Sequence, residues 1–236
     1  MKGFILYEGP SMFDKKPIVA IVTFSSTNEK TGNMAQLWIL PKDVAPHEAV
    51  KSGKDQSVCG GCQHRHNLGG ACYVLPFQGP LSVWRSYKRG LYPKSNPKAL
   101  LKLMLKELRL GAYGDPAMLP EDHLRAVKSV ARGTTGYSHQ WKNKRLKHAM
   151  QYCQGSVDSL EEAKQFKEMY PNGHYFRVTD DISDIQEDEI QCLADTKGLT
   201  CQQCMLCDGT KQNIVIEVHG AKKSRFTSDI QIKEVV

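Results

Sequence analysis

Seven of the eight cysteines fall in two short groups, and their spacing is where chemistry can sit. The segment 192–209 carries Cys192, Cys201, Cys204 and Cys207, with a Cys-x2-Cys-x2-Cys core. Thiolates in that register converge on one centre, because a tight turn points the sulfurs inward. They suit the corners of an iron–sulfur cube, with Cys192 arriving as a fourth ligand. Zinc also takes four thiolates, usually as two separate Cys-x2-Cys pairs. The overlapping triplet therefore favours a 4Fe–4S cluster, with zinc as the alternative. Cys59, Cys62 and Cys72 form the second group, among Gly60, Gly61, Gly69 and Gly70. Three cysteines are one protein ligand short. On zinc, His64 or His66 could complete a closed site. On a cube, the gap leaves one iron open to a small molecule. Cys153 stands apart, as a core residue or an extra ligand.

Other polar residues gain meaning from where they fall. Strand-like and helix-like stretches alternate from residue 108 onward, with strands expected at 108–113, 134–141, 151–157, 174–178 and 213–219. Helices are expected at 121–132 and 159–170, with a short basic turn or helix at 144–149. Such alternation predicts a parallel sheet with right-handed crossovers. Ligands of parallel α/β folds meet the C-terminal ends of the strands. Tyr113, Asp115, His139, Gln140, Ser156, Asp158, Arg177 and His219 are expected there.

Upstream, strands are expected at 4–7, 17–24 and 34–40, forming an antiparallel entry sheet or hairpin, then a short helix at 45–51. A helix starts near Gly79. Its Trp84, Arg85, Tyr87 and Lys88 suit either a nucleotide or a buried amphipathic face. A second helix, 99–108, puts Leu100, Leu101, Leu103, Met104 and Leu108 on its apolar side. The expected fold class is α/β: a partial or small (β/α) barrel with an N-terminal antiparallel β segment and cysteine-rich metal loops. Residues 1–58 make the β-rich segment and 59–236 the barrel-like domain, together one compact unit.

The chain has 236 residues and a net charge of +7. Basic residues concentrate at 85–106 and 142–147, a pattern that attracts the phosphates of nucleic acid. No apolar run is long enough to span a membrane. The first residues do not read as a signal peptide, because Glu8 breaks a short apolar run. The expected setting is the cytoplasm, where clustered cysteines serve metals rather than disulfides.

The cysteine group at 59–72, Gly114-Asp115-Pro116 and Ser156-Val157-Asp158-Ser159 together resemble the radical S-adenosylmethionine (SAM) superfamily. That family has a partial (β/α) barrel whose three cysteines follow the first barrel strand. The resemblance implies that Cys59, Cys62 and Cys72 hold a reactive cluster. It implies that Gly114, Asp115, Ser156 and Asp158 bind SAM, and that Tyr113, His139 and Arg177 face substrate. It also implies an auxiliary cluster on Cys192, Cys201, Cys204 and Cys207. The chain departs from the family in its Cys-x2-Cys-x9-Cys spacing and in Ala71, where an aromatic residue is usual. Separately, Gly9-Pro10, Trp84-Arg85, the stretch from Arg109 to Pro116 and the stretch from Gly136 to Trp141 resemble a family of bacteriophage and prophage proteins. That implies a host-cytoplasm setting and no particular reaction. Three readings follow. The first is an iron–sulfur enzyme that cleaves SAM to modify a nucleotide or nucleic acid. The second is a zinc-stabilised nucleic-acid-binding protein without catalysis. The third is a metal-dependent single-strand nuclease with His64 and His66 on the metal and Tyr87 or Tyr92 attacking phosphate.

Overall fold

A computed structural model describes residues 2–226. The first strands are β1 (Gly3–Pro10), β2 (Pro17–Thr23) and β3 (Ala35–Pro41). β2 is Pro-Ile-Val-Ala-Ile-Val-Thr, buried at every position after the proline, so it takes the inner place and pairs antiparallel with both neighbours. After β3 come α1 (Pro46–Ser52), α2 (Gln56–Cys59), α3 (Gly79–Lys88) and α4 (Pro97–Leu103). Then follow β4 (Glu107–Tyr113), α5 (Glu121–Val130), β5 (Gly133–Thr135), β6 (Tyr137–Ser138), β7 (Gln154–Val157), α6 (Leu160–Met169) and β8 (Tyr175–Thr179). The chain ends its described part with β9 (Glu189–Gln191), α7 (Leu193–Thr196), α8 (Cys201–Cys204) and β10 (Asn213–Glu217).

These strands build two five-stranded sheets, in the orders β1-β2-β3-β4-β5 and β6-β7-β8-β10-β9. The expected antiparallel entry is present, but β3 also pairs parallel with β4, and β4 with β5. Every pairing in the second sheet is parallel. Gly136 alone separates β5 from β6; its carbonyl accepts from Gln154 N–H at 3.0 Å. The parallel strands thus succeed one another in chain order across both sheets, except that β10 inserts between β8 and β9. No described helix is long and apolar enough to cross a membrane.

The main core joins Ile18, Ile21, Leu37 and Ile39 to Leu108, Leu110, Leu124 and Val127. It runs across the boundary expected at residue 58, and residues 227–236 of the expected second domain lie outside the described residues. Trp141, Val157, Phe166 and Tyr175 form a smaller core beneath α6.

Three expectations need correction, and one strand was not expected. The helix read over 99–108 is α4, which starts earlier and ends at Leu103. Asn96 caps it by accepting from Ala99 N–H, with Pro97 in the first turn. Leu108 belongs to a strand, and Leu101, Met104 and Leu105 are exposed. The strand read over 134–141 is broken at Gly136. The strand read over 151–157 begins only at Gln154, because 147–151 coil into a 3-10 turn. β9, three residues long, carries too little pattern to be read from sequence.

Candidate functional site

β4 shows how the site is positioned. Side chains alternate across a strand, so Leu108 and Leu110 enter the core while Arg109, Gly111 and Tyr113 line a cavity on the other face. Past Tyr113, Gly114 has φ +80°, and a Cβ there would lie 2.6 Å from the Ile39 carbonyl oxygen. Asp115 follows. Its N–H donates to the Val58 carbonyl at 2.7 Å, one residue before Cys59.

The first cysteine group is stapled to this strand end. Gln140 accepts from Gly61 N–H at 3.2 Å and donates to the Cys59 carbonyl at 3.1 Å. Arg65 grips Asp55 through two nitrogens, at 3.0 and 2.8 Å, and the Gly53 carbonyl at 2.8 Å. The backbone N–H groups of His64 and Val74 act on the Cys62 and Cys72 thiols to lower them. Amide donors aimed at sulfur favour the thiolate form that binds iron or zinc. Burial opposes ionisation. It pushes Cys59 and Cys62 well up and Cys72 up to about 11, with neighbouring thiols adding to the effect at Cys59 and Cys72. A bound cation resolves that opposition by supplying the missing charge.

The second group leaves β9. Cys192 sits at the N-terminus of α7 with no side-chain cap bond, and burial pushes its thiol up. Thr200 and Gln203 form a capping box on α8. Met205, in the left-handed region, turns the chain back toward Cys207, whose carbonyl accepts from Gly136 N–H at 3.1 Å. This segment docks on the opposite end of β4: Gln202 bonds Glu107 at 2.8 Å and accepts from Asn33 N–H, and Lys30 pairs with Asp195 at 2.9 Å.

Both groups open onto one cavity of about 230 Å³, lined by Cys59, Cys62 and Cys72 from one end and Cys192, Cys201 and Cys207 from the other. Cys204 flanks Cys207 but is not in the lining. Cys153 is buried elsewhere and donates to the Ala149 carbonyl at 3.2 Å, the bond of an ordinary core thiol. Among the described residues, no three cysteine sulfurs lie within 4.8 Å of one another. Three thiolates on one zinc would sit about 3.8 Å apart, given Zn–S bonds of ~2.3 Å in a tetrahedron.

The structure divides the remaining expected residues. Tyr113 lines the cavity, its hydroxyl is buried without a hydrogen-bond partner, and burial beside Cys59 pushes its pKa up. Asp115 also lines the cavity, but its carboxylate is engaged by Ala117 N–H, Ser138 hydroxyl and His139 N–H, at 2.9, 2.7 and 2.9 Å. Gly114, Ser156 and His139 line the same wall. Asp158 is buried beside Cys62 and accepts from Gln63 at 2.7 Å. Burial raises its pKa, yet His64, His139 and Gln63 together hold it below the ordinary value. Arg177 is not brought to the cavity. It is spent on Glu189 at 2.7 Å and Asp184 at 2.9 Å, fixing β9 at the edge of the second sheet. His66 is likewise engaged, by the Val74 carbonyl and Lys222, whereas His64 Nε2 approaches Asp158 at 2.9 Å without making a hydrogen bond. Tyr87 and Tyr92 lie outside the cavity lining, and Trp84 is anchored to the Pro41 carbonyl.

Sequence reasoning missed Arg109, Tyr73 and Tyr137. Arg109 is buried, donates to the Tyr73 hydroxyl at 3.1 Å, and lies over the Tyr137 ring at 5.1 Å. No carboxylate pairs with it among the described residues. Burial lowers its pKa, but Tyr137, Tyr73 and Cys201 more than offset this and keep it charged. The alternation of β4 was the available signal, since Tyr113 two and four positions on shares the face with Gly111 and Arg109. Compared with known proteins, the chain matches no family model, no curated protein and no solved structure, so its own residues carry the functional reading.

Proposed function

We propose that this chain is an iron–sulfur enzyme of radical-SAM type, acting on a nucleotide or nucleic acid. The observation that carries it is the single cavity onto which two separate cysteine groups open. The parallel strands in chain order support a partial barrel, with Cys59, Cys62 and Cys72 following the first parallel strand. A cube on three thiolates would leave an open iron and supply the electron that splits the C5′–S bond of SAM. Gly114, Asp115 and Ser156 would form the wall against SAM. Asp115 acts there mainly by locking β4 to β6, since its oxygens are already engaged. Tyr113 and His139, each with a buried unpartnered polar atom, would face the substrate. Lys144, Arg145 and Lys147 stay exposed just beyond Trp141, which suits a substrate carrying phosphates.

The test is anaerobic purification with iron, sulfide and zinc content, then SAM and a reductant. A coloured protein with about four to eight irons per chain that releases 5′-deoxyadenosine is expected. Cys62→Ala should abolish that release while the fold persists. A colourless zinc protein, or full cleavage in Cys62→Ala, would overturn the reading.

A further inference from the structure

His64, His139 and Asp158 come from three separate stretches: the turn after Cys62, the residue after β6, and the residue after β7. Their ligand atoms lie within 4.8 Å of one another. Each side chain also carries a buried polar atom with no hydrogen-bond partner: His64 Nε2, His139 Nε2 and Asp158 Oδ1. His64 and Asp158 are nine-tenths buried or more.

An ion pair between His64 and Asp158 does not account for this. His64 Nε2 lies 2.9 Å from Asp158 Oδ2, but off the line of a hydrogen bond, and Oδ2 already accepts from Gln63. Such a pair also leaves His139 Nε2 and Asp158 Oδ1 unused. Three neighbouring side chains that each bury an unpaired polar atom are unfavourable unless something joins them. A cation does so: two imidazole nitrogens and one carboxylate are a donor set for divalent transition metals, with coordination positions left open.

The surroundings hold the three side chains in place. His139 N–H is fixed by Asp115, Asp158 by Gln63, and the His64 ring stacks on Phe226 at 5.5 Å. Outer contacts of this kind orient metal ligands. His139 and Asp158 line a small cavity of about 130 Å³, together with Cys62, Trp141, Lys142 and Glu162.

We propose that His64, His139 and Asp158 form a mononuclear site for a divalent transition-metal ion, with open positions toward that small cavity. It adjoins the first cysteine group through Cys62, uses none of the cysteines, and takes His139 from the substrate-facing role given above. An oxygen ligand, from water or from a substrate phosphoryl group, would complete the ion; Lys142, paired with Glu162 at 2.7 Å, lies on the same cavity.

Mn²⁺ is the probe, because it favours oxygen and nitrogen donors over thiolates. The full chain, purified without oxygen with its cysteine centres as isolated, is titrated with Mn²⁺ and the free-ion EPR signal is followed. A single site per chain is expected. His139→Ala, which keeps the backbone bond to Asp115, and Asp158→Asn should each weaken binding by at least about tenfold. Cys59→Ser should leave it unchanged. A wild-type chain that leaves the free-ion signal untouched overturns the proposal whatever the variants do. So does binding that survives both substitutions. Iron and sulfide content are read separately, so failure here is distinct from failure of the iron–sulfur reading.

Discussion

Gly60→Ala should loosen the first cysteine group by a mechanism that can be separated into parts. Gly60 has φ +60° and ψ −133°, a conformation essentially confined to glycine. A Cβ there would lie 2.5 Å from Gln140 Oε1. The substitution therefore adds backbone strain of about 1–3 kcal/mol. It also displaces the amide that bridges Gly61 N–H and the Cys59 carbonyl, two bonds at about 0.5–1.5 kcal/mol each. The total is roughly 2–6 kcal/mol, a fall in Tm of roughly 5–20 °C for a chain this size. Gln140→Ala loses the bonds without the strain, roughly 1–3 kcal/mol. The double variant no longer has the clash, so it should be less damaged than the sum of the two by about 1–3 kcal/mol. Urea unfolding of all four proteins measures the cycle, and iron retained after gel filtration reports the same ranking at the centre. Additive losses, or a Gly60→Ala protein as stable as wild type, would refute the staple.

Other consequences are open to the same measurements. Arg65→Met leaves Asp55 buried and unpaired, and should destabilise by about 3–5 kcal/mol in a melt. Arg177→Met does the same to Glu189. Because Cys192 directly follows β9, that variant should also lose metal from the second group in preference to the first, read by metal analysis alongside Cys59→Ser. Glu107 is held below its ordinary value of 4.5: burial raises it, but Gln202 and Arg132 more than compensate. A depressed folded pKa gives stability that is present above the unfolded value and lost as pH falls through the folded one. The stability gap between wild type and Glu107→Gln should therefore be full at pH 7 and shrink as urea melts are repeated below about pH 4.5. Cys153→Ala should leave metal content unchanged and lower stability only modestly, as measured by melting.

Local patterning was legible where one physical rule dominates. The continuous β-branched run of β2, the Ser159 cap on α6 and the alternation of β4 each specify an element without tertiary help. The cysteine spacing likewise exposed both groups, and six of those seven thiols do line one cavity. What could not be read depends on contacts distant in sequence. Nothing local says that Arg177 will be taken by Glu189 and Asp184, or that Asp115 will be filled by Ser138 and His139. Nor does spacing reveal that His64 meets His139 and Asp158, which lie 75 and more residues downstream. The end of α4 was misread for a related reason: its apolar residues continue the helical period into a segment that the sheet claims as β4.

The cavity has a polarity of its own. At the Cys59 and Cys62 end, burial raises the thiols first, and the carboxylates of Asp55, Asp115 and Asp158 add to it against the Arg65 guanidinium. At the other end burial and the Cys192 and Cys201 thiols push Cys207 well up, and the guanidinium of Arg109 opposes them. Low-dielectric walls keep that difference from being screened. Two redox centres held by these groups would sit in unequal fields even if chemically identical, since nearby charge sets a cluster's potential. An electron entering the chain would come to rest beside Arg109, and the Cys59 end would be the stronger reductant. A dipolar molecule entering the same space would be turned one way round, its negative end toward β4's Arg109. The fold thus gives direction to both charge and ligand along a single strand.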